Sequence, residues 1–436
     1  MNADTAKRPH VVVIGGGFAG LEFTKQLRDE DVSVTLVDRH NYHTFQPLLY
    51  QVATGGLEAD SIAYPLRKVF RKAENVYVRW ADVEQIDHAN KVIITTLHDI
   101  PYDVLVIATG STAKYYDFEP VKDKLLTLKT VPDALNLRSY ILQNFEKAVA
   151  EHNPAYFKEL VNIALVGGGA TGLELAGAIG EMKKYILPLD YPEIDVSRMR
   201  IVLFQSGDQL LKGMSDHASS KALDYIRELG VEVRLNERVV SYDGDTLCTD
   251  TGFSLATDTV IWTAGVTANI PPGLPEEATA TGRIAVDLHN RVLGLADVYA
   301  IGDVAEMQSE DYPRGHPMLA PVAQQQGTLL AKNLLRSFAG RPMQEFAYQD
   351  KGTMATVGRN RAVVDLPNFK FAGLFAWLTW MLVHVMLLVG FRNKVAAMLD
   401  WTINYLTYDS PMRLIIRPFR VEGVGTSSSV RGEMRR

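Results

Sequence analysis

An α/β fold, with two Rossmann-like dinucleotide-binding domains and a C-terminal membrane-attachment helical segment, is predicted by three features of the 436-residue sequence. Gly15, Gly17 and Gly20 form a G-x-G-x-x-G turn, Gly167, Gly169 and Gly172 form a second, and residues 371–391 carry no charge. A glycine pattern alone is weak, so context decides. Residues 11–14 are an apolar run, a helix-permissive stretch follows the turn, and a second β-branched run at 32–37 ends on Asp38, 18 residues after Gly20. In that strand–turn–helix–strand setting the glycines permit the tight turn, close approach of backbone to a pyrophosphate, and packing of helix on strand. The helix N-terminus offers free N–H groups, and Asp38 can accept from a ribose hydroxyl.

Composition is that of an ordinary globular protein, 47% hydrophobic and 22% charged, on a chain long enough for two or three domains. The net charge of −6 argues against a nucleic-acid partner, but it is uneven. Residues 370–436 carry nine Lys/Arg against four Asp/Glu, a +5 tail that leaves −11 for the rest. A basic tail on an acidic body points to an anionic surface at that end. The stretch before the first strand is short and polar, so secretion is not expected. Cys248 is the only cysteine, which excludes an intrachain disulfide, a redox Cys pair and a cysteine-ligated metal; no metal site is expected.

After Asp38, the aromatic, Pro-broken stretch 41–56 reads as a ligand-lining loop. Residues 61–70 read as a short amphipathic helix and 76–95 as an alternating hairpin. The run DVLVIATG at 103–110 reads as a strand buried on both faces. Residues 131–160 are helical in pattern. The framework then repeats, with a strand at 162–166, the second glycine turn, a helix, a strand at 200–204, and DTVIWTAG at 258–265 echoing 103–110. A matched pair of fingerprints in matched order is an internal duplication, so the chain is expected to hold two dinucleotides. A strand ends on Gly302-Asp303, a helix runs over 321–338 with Pro321 at its start, and 352–364 reads as a final strand or hairpin.

The uncharged run 371–391 would make about 31 Å of helix, enough to cross a bilayer. Against a span, Gly373, Trp377, Trp380 and His384 share one helical face and leave Leu, Val and Met on the others. In the next segment, Asn393, Asp400, Asn404 and Thr407 do the same. Three arrangements stay open: helices lying in the headgroup plane with tryptophans at headgroup depth, a true span, and an interface between copies of a soluble dimer. The first is favoured.

These residues resemble a known family, the type II NADH:quinone dehydrogenases, from the first strand to about residue 410. The elements that carry the resemblance are FQPLLYQVATGG (45–56), VIWTAGV (260–266), AIGD (300–303) and the AWLTWMLVH…GFRNK run. The resemblance implies that a domain formed by 1–115 and 280–368 binds FAD, that an inserted domain at 160–275 binds NADH, and that 369–436 attaches to one membrane face without spanning it. Gly15, Gly17, Gly20 and Asp38 would take the FAD pyrophosphate and ribose. Gln46 and Ala323 would join the cofactor set, and Thr109, Gly110 and Asp303 would flank the flavin. Gly167, Gly169, Gly172, Gln205 and Gly265 would serve NADH. Glu174 matches a glutamate placed near nicotinamide and flavin. The quinone-side motif A-Q-x-A-x-Q reads Ala320-Pro-Val-Ala323-Gln-Gln325, so Gln325 matches while Pro321 replaces the first glutamine.

The implied activity is hydride transfer from NADH, with NADPH as an alternative donor, to FAD. Two electrons then pass to a membrane quinone of menaquinone or ubiquinone type, without proton pumping. The implied location is the cytoplasmic face of the inner membrane, held through residues 369–420, with a homodimer left open. The helix at 321–338 could aim its positive end at the flavin. His43 reads as a loop hydrogen-bonder and His384 as a candidate beside the quinone path. Three rivals share parts of this pattern. Sulfide:quinone chemistry needs cysteines the chain lacks. A soluble ferredoxin or rubredoxin reductase would not need the apolar tail. A nucleotide-regulated flavin-binding protein would show no turnover.

Overall fold

The computed structural model describes residues 8–407 and 413–415. Its contacts divide into two compact units, one formed by 1–45, 63–112 and 266–351, the other by 46–62, 113–265 and the chain from 352 onward.

The first unit is built on a parallel sheet with strand order Val298–Ala300, Val104–Ile107, His10–Ile14, Ser33–Asp38, Val76–Trp80. Val11 to Ile14 and Val104 to Ile107 are buried throughout, as β-branched strands covered on both faces must be. His10–Ile14 pairs with Ser33–Asp38 on one side and with Val104–Ile107 on the other. The chain therefore leaves its carboxyl end in two directions, which opens the crevice where such sheets bind ligands. Residues 76–95 are not a single hairpin. Val76–Trp80 is the edge of the parallel sheet, and the hairpin is Val83–Asp87 with Val92–Thr95. An edge strand is covered on one face only, so Val76 and Val78 are buried while Tyr77 and Trp80 face out, and it alternates as a hairpin strand would. Residues 61–70 are not one helix either. Ala59–Ile62 and Leu66–Val69 are single turns around Ala63–Pro65, which pairs with Tyr42–Thr44. Pro65 supplies no N–H to continue a helix.

The helices Phe18–Gln26 and Ala320–Phe338 pack closely, because Gly327 offers no Cβ: one there would lie 2.5 Å from the Ala19 carbonyl oxygen. Pro321 sits at the second helical position, where no intrahelical N–H bond is lost.

The second unit has its own parallel sheet, ordered Glu232–Leu235, Ile201–Gln205, Ile163–Val166, Thr259–Trp262. The helical stretch before it is two helices, Val131–Ala150 and Pro154–Val161. The first is capped by a Thr130/Asp133 box, and the second starts at Asn153 and Pro154. Thr353–Thr356 and Ala362–Leu366 form the expected hairpin, extended by Phe369–Ala372.

Two helices follow, Leu374–Leu387 and Phe391–Thr407, with Gly390 at φ +87° turning the chain between them. The first measures about 21 Å, short of the ~30 Å hydrocarbon core. No helix of the described residues is long and apolar enough to cross a membrane. On the first helix the buried face is the one the sequence suggests. On the second, Trp401, expected on the other face, is buried with Asn393, and Asn404 and Thr407 lie outside the residues whose side chains are described. Ala376, Trp380, His384, Asn393, Ala397 and Trp401 are buried, while Leu374, Phe375, Leu378, Leu382, Met386, Phe391, Met398, Leu399 and Ile403 are exposed. The tryptophans are not on the outer surface. Trp380 and Trp401 pack inward on each other, ring centroids 5.9 Å apart, and the outward face is aliphatic with phenylalanine.

Candidate functional site

In the first unit each glycine of the turn has a separate reason to lack a side chain. Gly15 has φ +104°, and a Cβ there would lie 2.3 Å from the Ala108 carbonyl oxygen on the neighbouring strand. A Cβ on Gly20 would lie 1.9 Å from the Gly15 carbonyl oxygen, so this glycine seats the helix on the turn. At Gly17, which caps Phe18–Gln26 without a side-chain bond, nothing of the protein lies within 4 Å of a Cβ. That open space over unbonded N–H groups fits a pyrophosphate. Asp38 ends its strand with Oδ2 accepting from Gly16 N at 2.5 Å and Oδ1 from His40 N at 2.6 Å. Burial raises its pKa, and the two N–H groups oppose that rise. His43 donates through Nδ1 to the Gly16 carbonyl at 2.9 Å; burial holds it at about 4, neutral, as a prop beneath the turn.

Further along the same unit, Thr109 Oγ1 donates to the Asn269 carbonyl at 2.6 Å, and Gly110 (φ +69°) faces open space. Asp303 accepts from Ser111 Oγ at 2.6 Å. Ala323, on the first turn of Ala320–Phe338, meets the Gly302 turn, whose N–H donates to Gln326 Oε1 at 2.7 Å. Gln325 is bound at both amide ends by the backbone of Gln349, at 2.9 and 3.0 Å. The buried glutamine that touches the Gly-Asp turn is thus Gln326, which the family motif does not single out.

The second unit repeats this geometry. Gly167 has φ +115° and a Cβ there would lie 2.5 Å from the Thr263 carbonyl oxygen. Gly172 would meet the Gly167 carbonyl oxygen at 2.0 Å, and Gly169 is open and caps Ala170–Glu181. Gln205 stands where Asp38 stands, its Oε1 accepting from Gly168 N at 2.9 Å. Because an N–H can only donate, this bond fixes the amide, and Nε2 is left as an outward donor. Gly265 follows the strand Thr259–Trp262; its carbonyl accepts from Lys114 N, and a Cβ would meet the Tyr116 hydroxyl at 2.8 Å. Gln46 lies in the second unit, its Nε2 3.4 Å from the Lys129 carbonyl.

The second unit also holds a pocket that no single motif announces. Its walls are aromatic (Tyr50, Trp377, Trp380, Trp401), its floor includes Thr356, and Glu181 lies at one side. Trp380 stacks on His384 at 4.1 Å and lies 6.4 Å from Tyr50. His384 Nδ1 donates to the Trp380 carbonyl at 2.7 Å, and burial holds it at about 4, so it is neutral near pH 7. Trp401 Nε1 donates to Gln51 Oε1 at 2.6 Å, and Gln51 Nε2 donates to the Tyr50 hydroxyl at 2.8 Å. Glu174 and Glu181, two turns apart on one helix, both face this region. Thr356 N donates to Glu174 at 3.3 Å and Arg359 N to Glu181 at 2.6 Å. After Glu181 the helix continues as a π-turn, Met182–Ile186, which brings Tyr185 and Ile186 to the pocket.

Burial pushes the Glu174 carboxyl up to about 8, against the opposite pull of the Thr356 N–H and the Trp380 indole. A folded-state value above the unfolded one means that this group favours the fold most below about pH 4.5 and loses that contribution as pH rises toward 8. Glu174→Gln keeps an acceptor for Thr356 N without the ionisable proton. The variant is therefore expected to gain melting temperature relative to the parent as pH rises from about 5 to 8. Thermal unfolding across that range measures it, and parallel curves would show that Glu174 does not carry the buried proton.

The comparisons agree with this architecture. Residues 9–327 match the family model described as pyridine nucleotide-disulphide oxidoreductase, and 351–408 match the NDH2 C-terminal domain. The chain is 34% identical over 421 residues to the type II NADH:quinone oxidoreductase Ndh of Mycobacterium tuberculosis, covering 93% of this chain and 90% of that one. It is 30% identical over 393 residues to the type II NADH:quinone oxidoreductase of Haemophilus influenzae, covering 82% and 87%. A structure of NDH2 from Plasmodium falciparum in complex with NADH superposes with a TM-score of 0.86 at 20% identity, over 93% of this chain and 100% of that one. The chain belongs to the type II NADH:quinone oxidoreductases, within the pyridine nucleotide-disulphide oxidoreductase family.

Proposed function

We infer that this protein oxidises NADH through FAD and reduces a quinone drawn from a membrane to which it is peripherally attached. The observation that carries the reading is a chain with two complete glycine cradles that also holds an aromatic pocket under helices whose outer face is apolar.

Gly15, Gly17 and Gly20 hold the FAD pyrophosphate, and Asp38 accepts from the adenosine ribose. Thr109, Gly110 and Asp303 flank the flavin. The N-terminal end of Ala320–Phe338 lends positive potential to charge that develops there. When bound, the flavin supplies hydride acceptance and electron transfer. Gly167, Gly169 and Gly172 hold the NADH pyrophosphate, with Gly265 beside the strand end. Glu174 remains protonated near neutrality and avoids placing a fixed negative charge behind the pocket. Trp380, Trp401 and Tyr50 offer ring faces for a flat quinone head, and Leu378, Leu382 and Met398 face the lipid from which it arrives. The +5 tail favours an anionic leaflet, as on the cytoplasmic face.

Steady-state turnover with NADH and a short-chain quinone tests this reading, with quinol formed in step with NADH consumed. NADH oxidation without quinol would sink it.

Nucleotide choice follows from Gln205. Its outward amide donor tolerates a 2′-phosphate, where a carboxylate would accept from the 2′-OH and repel the phosphate. Measurable NADPH oxidation is expected. Gln205→Glu, which can still accept from Gly168 N as Asp38 accepts from Gly16 N, should shift the kcat/KM ratio toward NADH about tenfold, or ~1.4 kcal/mol. An unchanged ratio would remove Gln205 as the discriminator.

A further inference from the structure

We propose that Tyr50 is the residue that hydrogen-bonds one carbonyl oxygen of the quinone and passes a proton to it. The proposal rests on the reading above, that the aromatic pocket takes the quinone head.

The hydrogen-bond inventory of this wall supports it. A tyrosine hydroxyl has one donor and two acceptor positions. Tyr50 accepts from Gln51 Nε2, and the Gln51 amide is itself oriented by Trp401 Nε1. The chain Trp401, Gln51, Tyr50 therefore runs one way, with every named N–H donating toward Tyr50. The Tyr50 proton is left unspent on a buried ring that lines the pocket. Gln51 also faces the pocket with a second amide hydrogen, but an amide cannot give up a proton near pH 7. The Trp380 indole N–H, which points its pull at the Glu174 carboxyl, cannot either.

The reaction creates a need for this group. Quinone reduction to quinol adds two electrons and two protons, whereas the hydride of NADH brings two electrons and one proton. One proton must come through the protein. In the proposed step the Tyr50 O–H bond breaks as an O–H bond forms on the reduced quinone oxygen, and the phenolate left behind takes a proton from Glu174. Glu174 then reloads from water. Burial and the nearby Glu174 and Glu181 keep the Tyr50 phenol well above 10. It therefore stays protonated until electrons make the quinone oxygen basic. Glu174, at about 8, holds the proton to be relayed. Other ionisable groups at the pocket are Tyr185, Arg359 and Arg413. Arg413 is paired with Asp190 at 2.6 Å, and Arg359 engages Glu181 through its backbone N–H.

The test is Tyr50→Phe in the flavin-loaded protein, read in two ways. The first is the ratio of turnover with a short-chain quinone to turnover with ferricyanide, which takes electrons without protons. The second is binding of a redox-inert quinone analogue to the oxidised protein, followed by quenching of the pocket tryptophans. The turnover ratio should fall at least about tenfold, and the analogue should bind roughly three- to tenfold more weakly. The parent is expected to lose quinone turnover above about pH 8, as Glu174 gives up its proton, and this loss should disappear in the variant. Should Tyr50→Phe fold poorly, Trp401→Phe releases the chain at its far end and should lower the same ratio severalfold. A parent that binds and reduces the quinone, with ratio, affinity and pH profile all unchanged in both variants, overturns the assignment and leaves the pocket standing. A parent whose tryptophans do not respond to the analogue removes the pocket reading and the proposal with it.

Discussion

Gly20→Ala is expected to yield a protein that purifies without flavin. The added methyl would lie 1.9 Å from the Gly15 carbonyl oxygen and 3.2 Å from Ala108 Cβ. The first contact is backbone, so no rotamer relieves it. The helix Phe18–Gln26 cannot retreat, because on its other side Gly327 of Ala320–Phe338 leaves no room against the Ala19 carbonyl. The turn itself must deform, and ordinary overpacking already costs about 1–3 kcal/mol in a site that can yield. Flavin affinity should drop by roughly 10²-fold or more, the equivalent of about 3 kcal/mol. Gly17→Ala is the contrast: its methyl meets nothing of the protein. Melting temperature of the flavin-free protein should stay while flavin binding weakens, because only the approach of the pyrophosphate is obstructed. Gly172→Ala, 2.0 Å from the Gly167 carbonyl oxygen, should abolish reduction by NADH while flavin content stays normal. Flavin-to-protein absorbance ratios measure flavin content in all three, thermal unfolding checks Gly17→Ala, and bleaching of the flavin by NADH checks Gly172→Ala. A fully flavinated Gly20→Ala protein would show that the turn is not the cofactor cradle.

The second large effect concerns membrane attachment. Leu378→Asp together with Leu382→Asp places two charges on the outer face of Leu374–Leu387, at side chains 47% and 65% exposed that make no part of the pocket. A charge at bilayer depth costs about 2.5–3.5 kcal/mol per residue. Even at half that value for an interfacial position, the pair should weaken partitioning roughly 10²-fold. The double variant should fractionate as a soluble protein and lose turnover with membrane-resident quinone, while a water-soluble short-chain quinone is still reduced. Retention in the membrane fraction would mean that the apolar face is covered by something other than lipid. Ending the chain before residue 369 is a poorer test of attachment. It would also remove Trp377, Trp380 and Trp401, which wall the pocket.

The glycine turns are legible in the sequence because backbone sterics alone dictate their spacing. The same contacts, Gly15 on Ala108 and Gly167 on Thr263, recur in both units. The equivalence of Asp38 and Gln205 is legible for the same reason, since each ends the strand after its helix. What periodicity could not reveal is what covers a face. It grouped Trp377, Trp380 and His384 correctly, yet Trp with neighbouring cations reads as an interfacial anchor when the partner is unseen. Here that face packs on Tyr50 and Thr356, and aliphatic side chains are left outside. Val76–Trp80 misleads likewise, because an edge strand of a parallel sheet alternates as a hairpin does. The pocket depends on segments at 50–56, 174–186, 356–359 and 377–401 meeting in space, which no spacing rule encodes. The stretch 41–56 carried a signal as a ligand-lining loop, and Glu181 carried another, seven residues after Glu174 and so on the same helical face.

Anaerobic titration tests the central claim most directly. NADH added to the purified, flavin-loaded protein should bleach the flavin absorbance, one equivalent per flavin. A short-chain quinone added afterwards should restore it, with one quinol formed for each NADH spent. A flavin that bleaches but stays reduced in the presence of quinone, or quinol formed without any flavin change, would contradict the account.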